Sequence, residues 1–368
     1  MKVAIIGAGI SGCTIARLLK DRGHEVVIFE KQDRLGGLCT TDTNNGRIYQ
    51  LFGPHIFHTD NESVVKFILR FSQFNDYIHY KGTCIDDRVL PYPISLETIS
   101  MLDEKEKILK EISNLPENPD MENFETCIVS MIGKTLYGKF IQNYTMKFWG
   151  VSPERLEAVW AMKRIEIRPD NSLGYFKNEW QGLPSSGYTK MLEKMTDSID
   201  VRYNTEIKDY RKLKHDLIVS TIPIDELFNL CFGSLVYRGL RFTINFNETE
   251  WENKRYSCIN YPNSRVDYIR KTNYSLFYHN AADRPYIVGY EYPSGEGKMY
   301  PLYTSENNDI LQAYLLHLVK IRNLVSLGRL GLFRYYDMDE AVGWFLENID
   351  QIENYITLTP EKRIQLLR

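Results

Sequence analysis

Residues 2–30 read KVAIIGAGISGCTIARLLKDRGHEVVIFE, and the fold class is predicted from this segment. A short apolar run leads into the spacing Gly7-x-Gly9-x-x-Gly12, and the residues that follow have the apolar periodicity of a helix. A second apolar run then ends in Glu30. A strand, a glycine turn, a helix and a strand within about 30 residues form a βαβ unit, which predicts a parallel sheet.

The three glycines have the spacing of a dinucleotide-binding turn. Gly7 permits the tight turn, Gly9 lets the backbone approach a pyrophosphate, and Gly12 lets the helix pack closely on the strand. The helix N-terminus then turns its partial positive charge towards the phosphates. Glu30 stands at a strand end, where a carboxylate accepts hydrogen bonds from ribose hydroxyls. The spacing predicts a dinucleotide site; the alternative is a glycine turn without a ligand.

The segment that begins at Glu30 decides between NAD and FAD. It has the form Glu30-(x)3-Arg34-x-Gly36-Gly37, which resembles the second fingerprint of flavin oxidoreductases and is generally absent from nicotinamide dehydrogenases. An ordinary glycine loop is the alternative interpretation. We therefore expect FAD as the cofactor. The expected cofactor-binding residues in this part of the chain are Gly7, Gly9, Gly12, Glu30, Arg34, Gly36 and Gly37.

Composition and charge exclude several classes of protein. Of the 368 residues, 45 are Lys or Arg and 48 are Asp or Glu, so the formal net charge of -3 argues against nucleic-acid binding through bulk charge. No stretch approaches the roughly 18 apolar residues of a membrane span, which argues against membrane insertion. Six scattered cysteines without zinc-ligand spacing predict no metal site and a reducing compartment, so we expect a cytoplasmic protein.

The order of helical and strand patterns predicts an α/β fold with several domains. Patterns of this class at both ends of the chain predict a Rossmann-like FAD-binding domain of the glutathione-reductase type, and the material between them predicts a helical insertion domain and an antiparallel β-sheet domain. The expected boundaries are 1–75, 185–235 and 318–368 for the FAD-binding domain, 76–165 for the helical insertion, and 166–184 with 236–317 for the antiparallel sheet that contacts the substrate.

Further motifs along the chain carry a family resemblance. They are Gly53-Pro-His-Ile-Phe-His-Thr59, Tyr144-Thr-x-x-x-Trp149-Gly150, Lys163-Arg164-x-x-x-Arg168, Tyr175-Phe176, Gln181-Gly-x-Pro184, Glu291-Tyr-Pro293, Tyr300-Pro301, Gly328-Arg329-Leu330 and Tyr335-Tyr336-Asp337-Met338. In this order, and together with the flavin fingerprint, they resemble the UDP-galactopyranose mutase family over nearly the whole chain.

The resemblance implies a flavoenzyme isomerase, a mutase that interconverts the pyranose and furanose forms of galactose on UDP. In that family reduced FAD is the active form, and its N5 attacks the anomeric carbon without net redox turnover. The implied partners are the nucleotide-sugar substrate, an external reductant such as NAD(P)H, and a second copy of the chain in a homodimer. The galactofuranose product implies a place in polysaccharide biosynthesis.

The resemblance also implies site residues. His55, His58, Arg168 and Arg270 are the expected catalytic residues. The expected substrate contacts are Tyr144, Trp149, Arg168, Tyr175, Asn260, Arg270, Tyr300 and Tyr335, and the second part of the flavin site is His58, Arg329, Asp337 and Met338. Arg270 fits the family's diphosphate loop after Asn260 without a gap, whereas Arg265 needs a shift, so Arg270 is the expected second diphosphate arginine.

Several positions depart from the family pattern and leave the sugar open. Leu38 follows the Gly-Gly pair where the family has Asn, His79 falls at a sugar-side Asn, and Trp180 stands where Tyr is usual. UDP-N-acetylgalactosamine and dTDP-fucose are the alternative substrates. A flavin amine oxidase or desaturase, which needs an apolar tunnel and no diphosphate clamp, is another alternative. A non-catalytic FAD-binding module is the last.

Overall fold

The structure is a computed structural model, and it describes residues 1–158, 165–172, 174–278 and 284–368. Lys163 and Arg164, which open the motif that ends at Arg168, lie outside these ranges.

The strands and helices are numbered here in chain order. The strands are β1 Lys2–Ile6, β2 Glu25–Phe29, β3 Thr41–Asn44, β4 Arg47–Gln50, β5 Phe57–Thr59, β6 Lys81–Ile85, β7 Arg88–Tyr92, β8 Trp180–Gly182, β9 Asp200–Arg202, β10 Leu217–Ser220, β11 Tyr237–Glu248, β12 Cys258–Asn260, β13 Arg270–Asn273, β14 Tyr286–Ser294, β15 Tyr300–Pro301 and β16 Leu324–Ser326. The α-helices are α1 Ile10–Asp21, α2 Glu62–Ile68, α3 Leu96–Ser100, α4 Lys105–Ile112, α5 Phe124–Ile132, α6 Lys134–Leu136, α7 Asn143–Trp149, α8 Tyr188–Met195, α9 Ile224–Leu227, α10 Ser305–Leu318, α11 Gly328–Gly331, α12 Met338–Glu353 and α13 Pro360–Leu367.

A parallel sheet of five strands has the order β16-β10-β1-β2-β9. Its central strands are continuous apolar runs, and the residues 3–6 and 217–219 are almost completely buried. Such runs are typical of parallel strands, because both faces of the sheet are covered. α1 and α12 pack against each other, so the N-terminal and C-terminal parts of the chain lie in the same helical layer. The predicted α/β class with a Rossmann-like domain is confirmed.

A second sheet has seven strands in the order β15-β11-β14-β13-β12-β6-β7, and all neighbours are antiparallel except β12 and β6. β6 and β7 lie within 76–165, the range in which the sequence predicts a helical insertion, and the helices that follow them begin at Leu96. The two strands form a hairpin through Asp86 and Asp87, which have φ values of 49° and 60°. Such a turn is usually signalled by Asn-Gly or Asp-Gly, and here it has no glycine.

The range 166–184 also differs from its predicted place in the antiparallel sheet. β8 pairs with β5 in a separate two-stranded ribbon. Arg168 forms an isolated bridge with Ser95, at the start of the helical segment. Neither pairing belongs to the second sheet, and β8, which is three residues long, pairs with the strand that carries His58.

The helices α3 to α7 pack around a separate hydrophobic core, to which Ile85 of β6 and Leu90 of β7 also contribute. Ser95 with Thr98, and Asn123 with Thr126, form capping boxes at the N-termini of α3 and α5. Gly150, with a φ of 70°, ends α7 in a left-handed conformation. Over the described ranges, no helix combines the length and the apolar composition that crossing a membrane requires.

The contact between Gly12 and Gly7 sets how α1 lies on β1. A Cβ atom built on Gly12 would be 2.0 Å from the carbonyl oxygen of Gly7. Gly7 has a φ of 99°, and a Cβ atom there would be 2.5 Å from Oγ1 of Thr221. Side chains are not accommodated at such distances, so the close helix–strand packing expected for Gly12 is present.

Gly12→Ala is expected to destabilise the protein by about 3 kcal/mol or more, because the added methyl group overlaps the backbone of Gly7. Gly138→Ala is the matched control. Gly138 lies in a helical segment, and a Cβ atom there meets nothing within 4 Å, so this variant should be at least as stable as the wild type. Thermal denaturation followed by circular dichroism measures both. Equal melting temperatures for the two variants would contradict the packing argument.

Candidate active site

Two cavities meet at the carboxyl edge of the parallel sheet. The first has a volume of about 740 Å³ and is lined by the segments that follow β1, β2 and β10. The second, of about 270 Å³, is lined by the seven-stranded sheet and by the helical segment 124–149. His55, Arg329, Asp337 and Met338 line both cavities. Open α/β sheets bind ligands at this edge, so the shared wall is the candidate active site.

The N-terminus of α1 forms one wall of the first cavity. Gly9 is its N-cap residue, and none of the described side chains caps the helix. The opposite wall is the turn at Gly36 and Gly37, where Gly36 N–H donates to the Ala8 carbonyl at 3.0 Å. A Cβ atom on Gly37 would be 3.2 Å from Cα of Gly9. Uncapped N–H groups beside a glycine backbone suit an anion such as a pyrophosphate.

Glu30 is held in place at the end of β2. Its side chain is buried, its Oε2 accepts a hydrogen bond from Ala8 N–H at 2.7 Å, and its Oε1 accepts one from Gln32 N–H at 2.8 Å. A carboxylate has about four acceptor sites, so Glu30 keeps acceptor capacity towards the cavity. The arrangement suits a pair of ribose hydroxyls.

Some of the predicted cofactor residues take other positions. Arg34 lines the first cavity, but its guanidinium is paired with Asp33 and Asp42 at 2.9 and 3.2 Å. Gly12 lies beneath the turn, where it determines the packing of α1 and does not line the cavity. His58 lines the second cavity and is absent from the lining of the first.

His55 stands in the shared wall as a neutral side chain. Its Nδ1 lies 3.0 Å from the carbonyl oxygen of Gly53. Desolvation, together with the nearby cations Arg329 and Arg270, lowers the pKa of His55 to about 4. The ring is therefore neutral at pH 7. Because Nδ1 donates its hydrogen to the Gly53 carbonyl, Nε2 is left as a proton acceptor.

His58 is oriented by hydrogen bonds that run through Asn178 and by stacking on an aromatic ring. Its Nδ1 lies 2.8 Å from Oδ1 of Asn178, and the amide group of Asn178 donates to the Asp60 carboxylate at 2.7 Å. The imidazole stacks on Phe176 with ring centroids 3.6 Å apart. These contacts fix the His58 ring at the wall of the second cavity, close to His55 along the chain.

A buried ion pair forms another wall of the second cavity. Arg270 on β13 and Glu291 on β14 are opposite in register, with Nε and Oε1 3.5 Å apart. Glu291 is 2% exposed, and burial raises the pKa of its carboxyl. Arg270 also donates to the hydroxyl of Tyr144 at 3.3 Å. Beside it, Oδ1 of Asn260 is buried and has no hydrogen-bond partner among the described residues. Buried polar atoms are normally hydrogen-bonded, so this wall suits a polar ligand.

Arg265, the other candidate for the diphosphate arginine, lies on the surface. It pairs with Asp87 at 2.6 Å, and both side chains are about 70% exposed. It is not among the residues that line the second cavity. The structure therefore brings Arg270 to the cavity and leaves Arg265 outside.

Aromatic rings complete the second cavity. Seven of the expected substrate contacts line this cavity: Tyr144, Trp149, Tyr175, Asn260, Arg270, Tyr300 and Tyr335. Tyr300 stacks on Tyr335 with centroids 6.2 Å apart, and the Arg329 guanidinium lies 4.7 Å from the centre of the Tyr335 ring. Flat faces with hydroxyl groups at their edges suit a base, a sugar and phosphate oxygens.

Arg168 is the exception among the predicted substrate contacts, because it does not line the cavity. Its Nε donates to Glu166 at 2.7 Å, and its two terminal nitrogens donate to the carbonyls of Gly174 and Tyr175, each at 3.0 Å. These hydrogen bonds use three of the five N–H groups of the guanidinium. In the structure Arg168 instead supports the backbone that carries Tyr175.

The wall of the second cavity also contains residues that the sequence did not predict as contacts. Among them are Lys81, Tyr92, Phe176 and His79, the last of which is a departure from the family pattern. His79 and Lys81 are two residues apart in an extended segment, so they share a face. This alternation could have indicated that both side chains face the cavity, but only if the β6–β7 hairpin had been recognised.

Comparison with known proteins shows similarity along nearly the whole chain. The profile of the family described as UDP-galactopyranose mutase matches residues 139–335, and that of an NAD(P)-binding Rossmann-like domain matches residues 5–71. A probable UDP-galactopyranose mutase of Klebsiella pneumoniae is 29% identical over 366 residues, covering 95% of this chain and 94% of the relative. A UDP-galactopyranose mutase of Mycoplasma pneumoniae is 30% identical and covers 95% of each chain. A dTDP-fucopyranose mutase of Escherichia coli is 29% identical, covering 93% of this chain and 95% of the relative.

A solved structure has the same fold. The crystal structure of a reduced UDP-galactopyranose mutase superposes with a TM-score of 0.81 over 99% of this chain and 98% of that chain. The sequences are 18% identical, so the likeness is one of fold.

The free energy of unfolding is expected to fall as the pH is lowered from about 6.5 to about 4. In the unfolded chain His55 takes up a proton near pH 6.5, whereas in the folded protein it does so only near 4. Between these values the unfolded state binds more protons, so acidification favours unfolding. Urea titrations at a series of pH values measure the slope. His55→Asn should reduce that slope without abolishing it, because burial also lowers the pKa of His79. An unchanged slope in the variant would contradict the assignment.

Proposed function

Because the chain belongs to the UDP-galactopyranose mutase family, we propose that it interconverts the pyranose and furanose forms of a nucleotide sugar, with UDP-galactopyranose and UDP-galactofuranose as substrate and product. The chain is an isomerase of the mutase type. The observation that carries the proposed substrate is the wall shared by the two cavities. At this wall a dinucleotide bound in the first cavity would contact a ligand bound in the second cavity, where Arg270 and Asn260 lie.

FAD is the proposed dinucleotide. The uncapped N-terminus of α1 and the glycine backbone at Gly36 and Gly37 fit its pyrophosphate, and Glu30 fits the adenosine ribose. Asp337 and Met338, at the N-terminus of α12, fit the flavin end, since this helix end favours negative charge. When bound and reduced, FAD supplies a nucleophilic N5 for the anomeric carbon.

The side chains of the second cavity would bind and orient the substrate. We assign the diphosphate to Arg270, whose guanidinium fork suits phosphate oxygens, with hydroxyls of Tyr144, Tyr300 and Tyr335 as further donors. The uracil would lie against the rings of the helical segment near Trp149. Tyr175 is positioned by Arg168 through its backbone.

His55 is assigned to proton transfer. Opening one sugar ring and closing another moves a proton between hydroxyl oxygens of the sugar. A base for this step must be neutral at pH 7 and must face the shared wall. His55 meets both conditions, with Nε2 as the accepting atom. His58 would orient the sugar from the neighbouring position.

The alternatives to this proposal are other nucleotide-sugar substrates and other flavin reactions. UDP-N-acetylgalactosamine or dTDP-fucose would use the same cavities, and the similarity to a dTDP-fucopyranose mutase supports keeping them. A flavin amine oxidase or desaturase would need an apolar substrate cavity, whereas this one contains the buried pair Arg270 and Glu291. Three expectations stay predictions: an NAD(P)H reductant, a homodimer, and an FAD-binding domain assembled from 1–75, 185–235 and 318–368.

The diphosphate assignment predicts the outcome of two matched double variants. Arg270→Met with Glu291→Gln removes both charges of the buried pair, so neither is left unpaired in the interior. We expect it to weaken UDP binding about ten- to a hundredfold, the value of a charge-assisted hydrogen bond. Arg265→Met with Asp87→Asn removes the exposed pair and should leave binding unchanged. Isothermal titration calorimetry measures both. The reverse result would show that the diphosphate lies elsewhere.

The cofactor assignment predicts that turnover depends on the redox state of the flavin. Protein reduced with dithionite should convert UDP-galactose to its furanose form, because only the reduced N5 has the electron density for attack. Protein with oxidised flavin should be inactive, and reoxidation should stop the reaction. Chromatography of the nucleotide sugars measures the product, and UDP-N-acetylgalactosamine and dTDP-fucose tested in parallel identify the preferred sugar. Full activity with a flavin that stays oxidised throughout would refute the mechanism.

A further inference from the structure

Lys81 is a buried cation in the wall of the second cavity. It begins β6 and is 7% exposed. Its ammonium lies 4.7 Å from the centre of the Tyr175 ring and 5.7 Å from that of Tyr92, and these two rings stack on each other. Across the described ranges, no hydrogen bond or ion pair of the Lys81 ammonium is found. Ring faces attract a cation but leave its three N–H groups available to a ligand.

Other lysines show what a paired ammonium looks like in this fold. Lys271 is 9% exposed and also lies against two rings, Trp251 and Tyr290, but it is paired with Glu252 at 2.6 Å. Lys298 is paired with Asp225 at 2.7 Å. Removing an ammonium from water without such a partner is unfavourable, and burial lowers the pKa of Lys81 for this reason. A buried, unpaired ammonium is retained where a ligand supplies the missing charge.

The charged side chains around the second cavity include one more cation than carboxylates. Three cations, Lys81, Arg270 and Arg329, and one carboxylate, Asp337, line it. Glu291 lies against Arg270 and balances that guanidinium. The remaining positive charge suits an anion in the cavity.

The position of Arg168 points to the same conclusion. Its guanidinium was expected to bind the substrate diphosphate together with Arg270, but it is bonded to Glu166 and to the carbonyls of Gly174 and Tyr175. Lys81 lies at the ring of that same Tyr175 and faces the cavity. The cavity therefore contains, besides Arg270 and Arg329, a further cation that β6 contributes.

We propose that the Lys81 ammonium binds an anionic oxygen of the nucleotide-sugar substrate. The oxygen belongs either to the diphosphate or, in an acidic sugar, to the sugar carboxylate. This inference rests on the proposed function, and it adds a specificity-determining contact that the diphosphate arginine and the tyrosines do not provide. With a diphosphate, Lys81 would stabilise the charge of the nucleotide when it leaves the anomeric carbon.

The test compares Lys81→Met and Lys81→Arg with the matched variant Lys271→Met, all in the flavin-bound protein. Calorimetry measures the affinity for UDP, UDP-galactose and UDP-galacturonate. Lys81→Met should weaken binding about ten- to a hundredfold, Lys81→Arg should restore most of it, and Lys271→Met should bind like the wild type. Equal loss for all three ligands assigns the contact to the diphosphate. Loss confined to UDP-galacturonate assigns it to the sugar carboxylate.

Thermal denaturation without nucleotide separates ligand binding from a structural role. Removing an unpaired buried charge should leave the melting temperature of Lys81→Met unchanged or raise it, whereas Lys271→Met breaks an ion pair and should lower it. A Lys81→Met protein that binds all three ligands like the wild type would overturn the inference, whatever its stability. If the wild type binds none of the three nucleotides, the proposed function itself fails, and the inference fails with it.

Discussion

The close approach of Gly12 to the carbonyl of Gly7 is the constraint on which the rest of the structure depends. It lets α1 begin directly after β1, so the helix N-terminus stands at the carboxyl edge of the parallel sheet. β10 and β16 join that sheet from distant parts of the chain, and α12 packs on α1. The first cavity, with the glycine backbone and Glu30 around it, exists because the turn is this tight.

The second cavity is organised by buried charge. Arg270 and Glu291 face each other inside the sheet, Asn260 leaves an acceptor without a partner among the described residues, and Lys81 lies against the rings of Tyr175 and Tyr92. Arrangements of this kind contribute little to folding stability, since taking charges out of water is unfavourable. Their position in the wall of one cavity is accounted for by a charged ligand. The neutral His55 lies at the junction, where a proton acceptor is useful.

The parts of the fold and site that could be predicted from the sequence are those encoded locally. The βαβ unit and the glycine turn follow from spacing within short segments, and the place of Arg270 follows from the family resemblance of the segment after Asn260. The β6–β7 hairpin was missed because its turn is Asp86-Asp87 without glycine. The orientation of Arg168 depends on Glu166 and on carbonyls across a loop, and Lys81 becomes a cavity residue only when β6 pairs with β12. Long-range pairing of this kind leaves no mark on local patterns.

The central claim is that two nucleotides occupy the two cavities and meet at the wall that contains His55. A crystal structure of the protein with FAD and UDP tests it most directly. We expect the adenosine ribose on Glu30, the flavin ring at His55 and Met338, and the UDP diphosphate within about 3.2 Å of the Arg270 guanidinium and the Lys81 ammonium. A UDP diphosphate bound away from both cations, with the flavin in place, would contradict it.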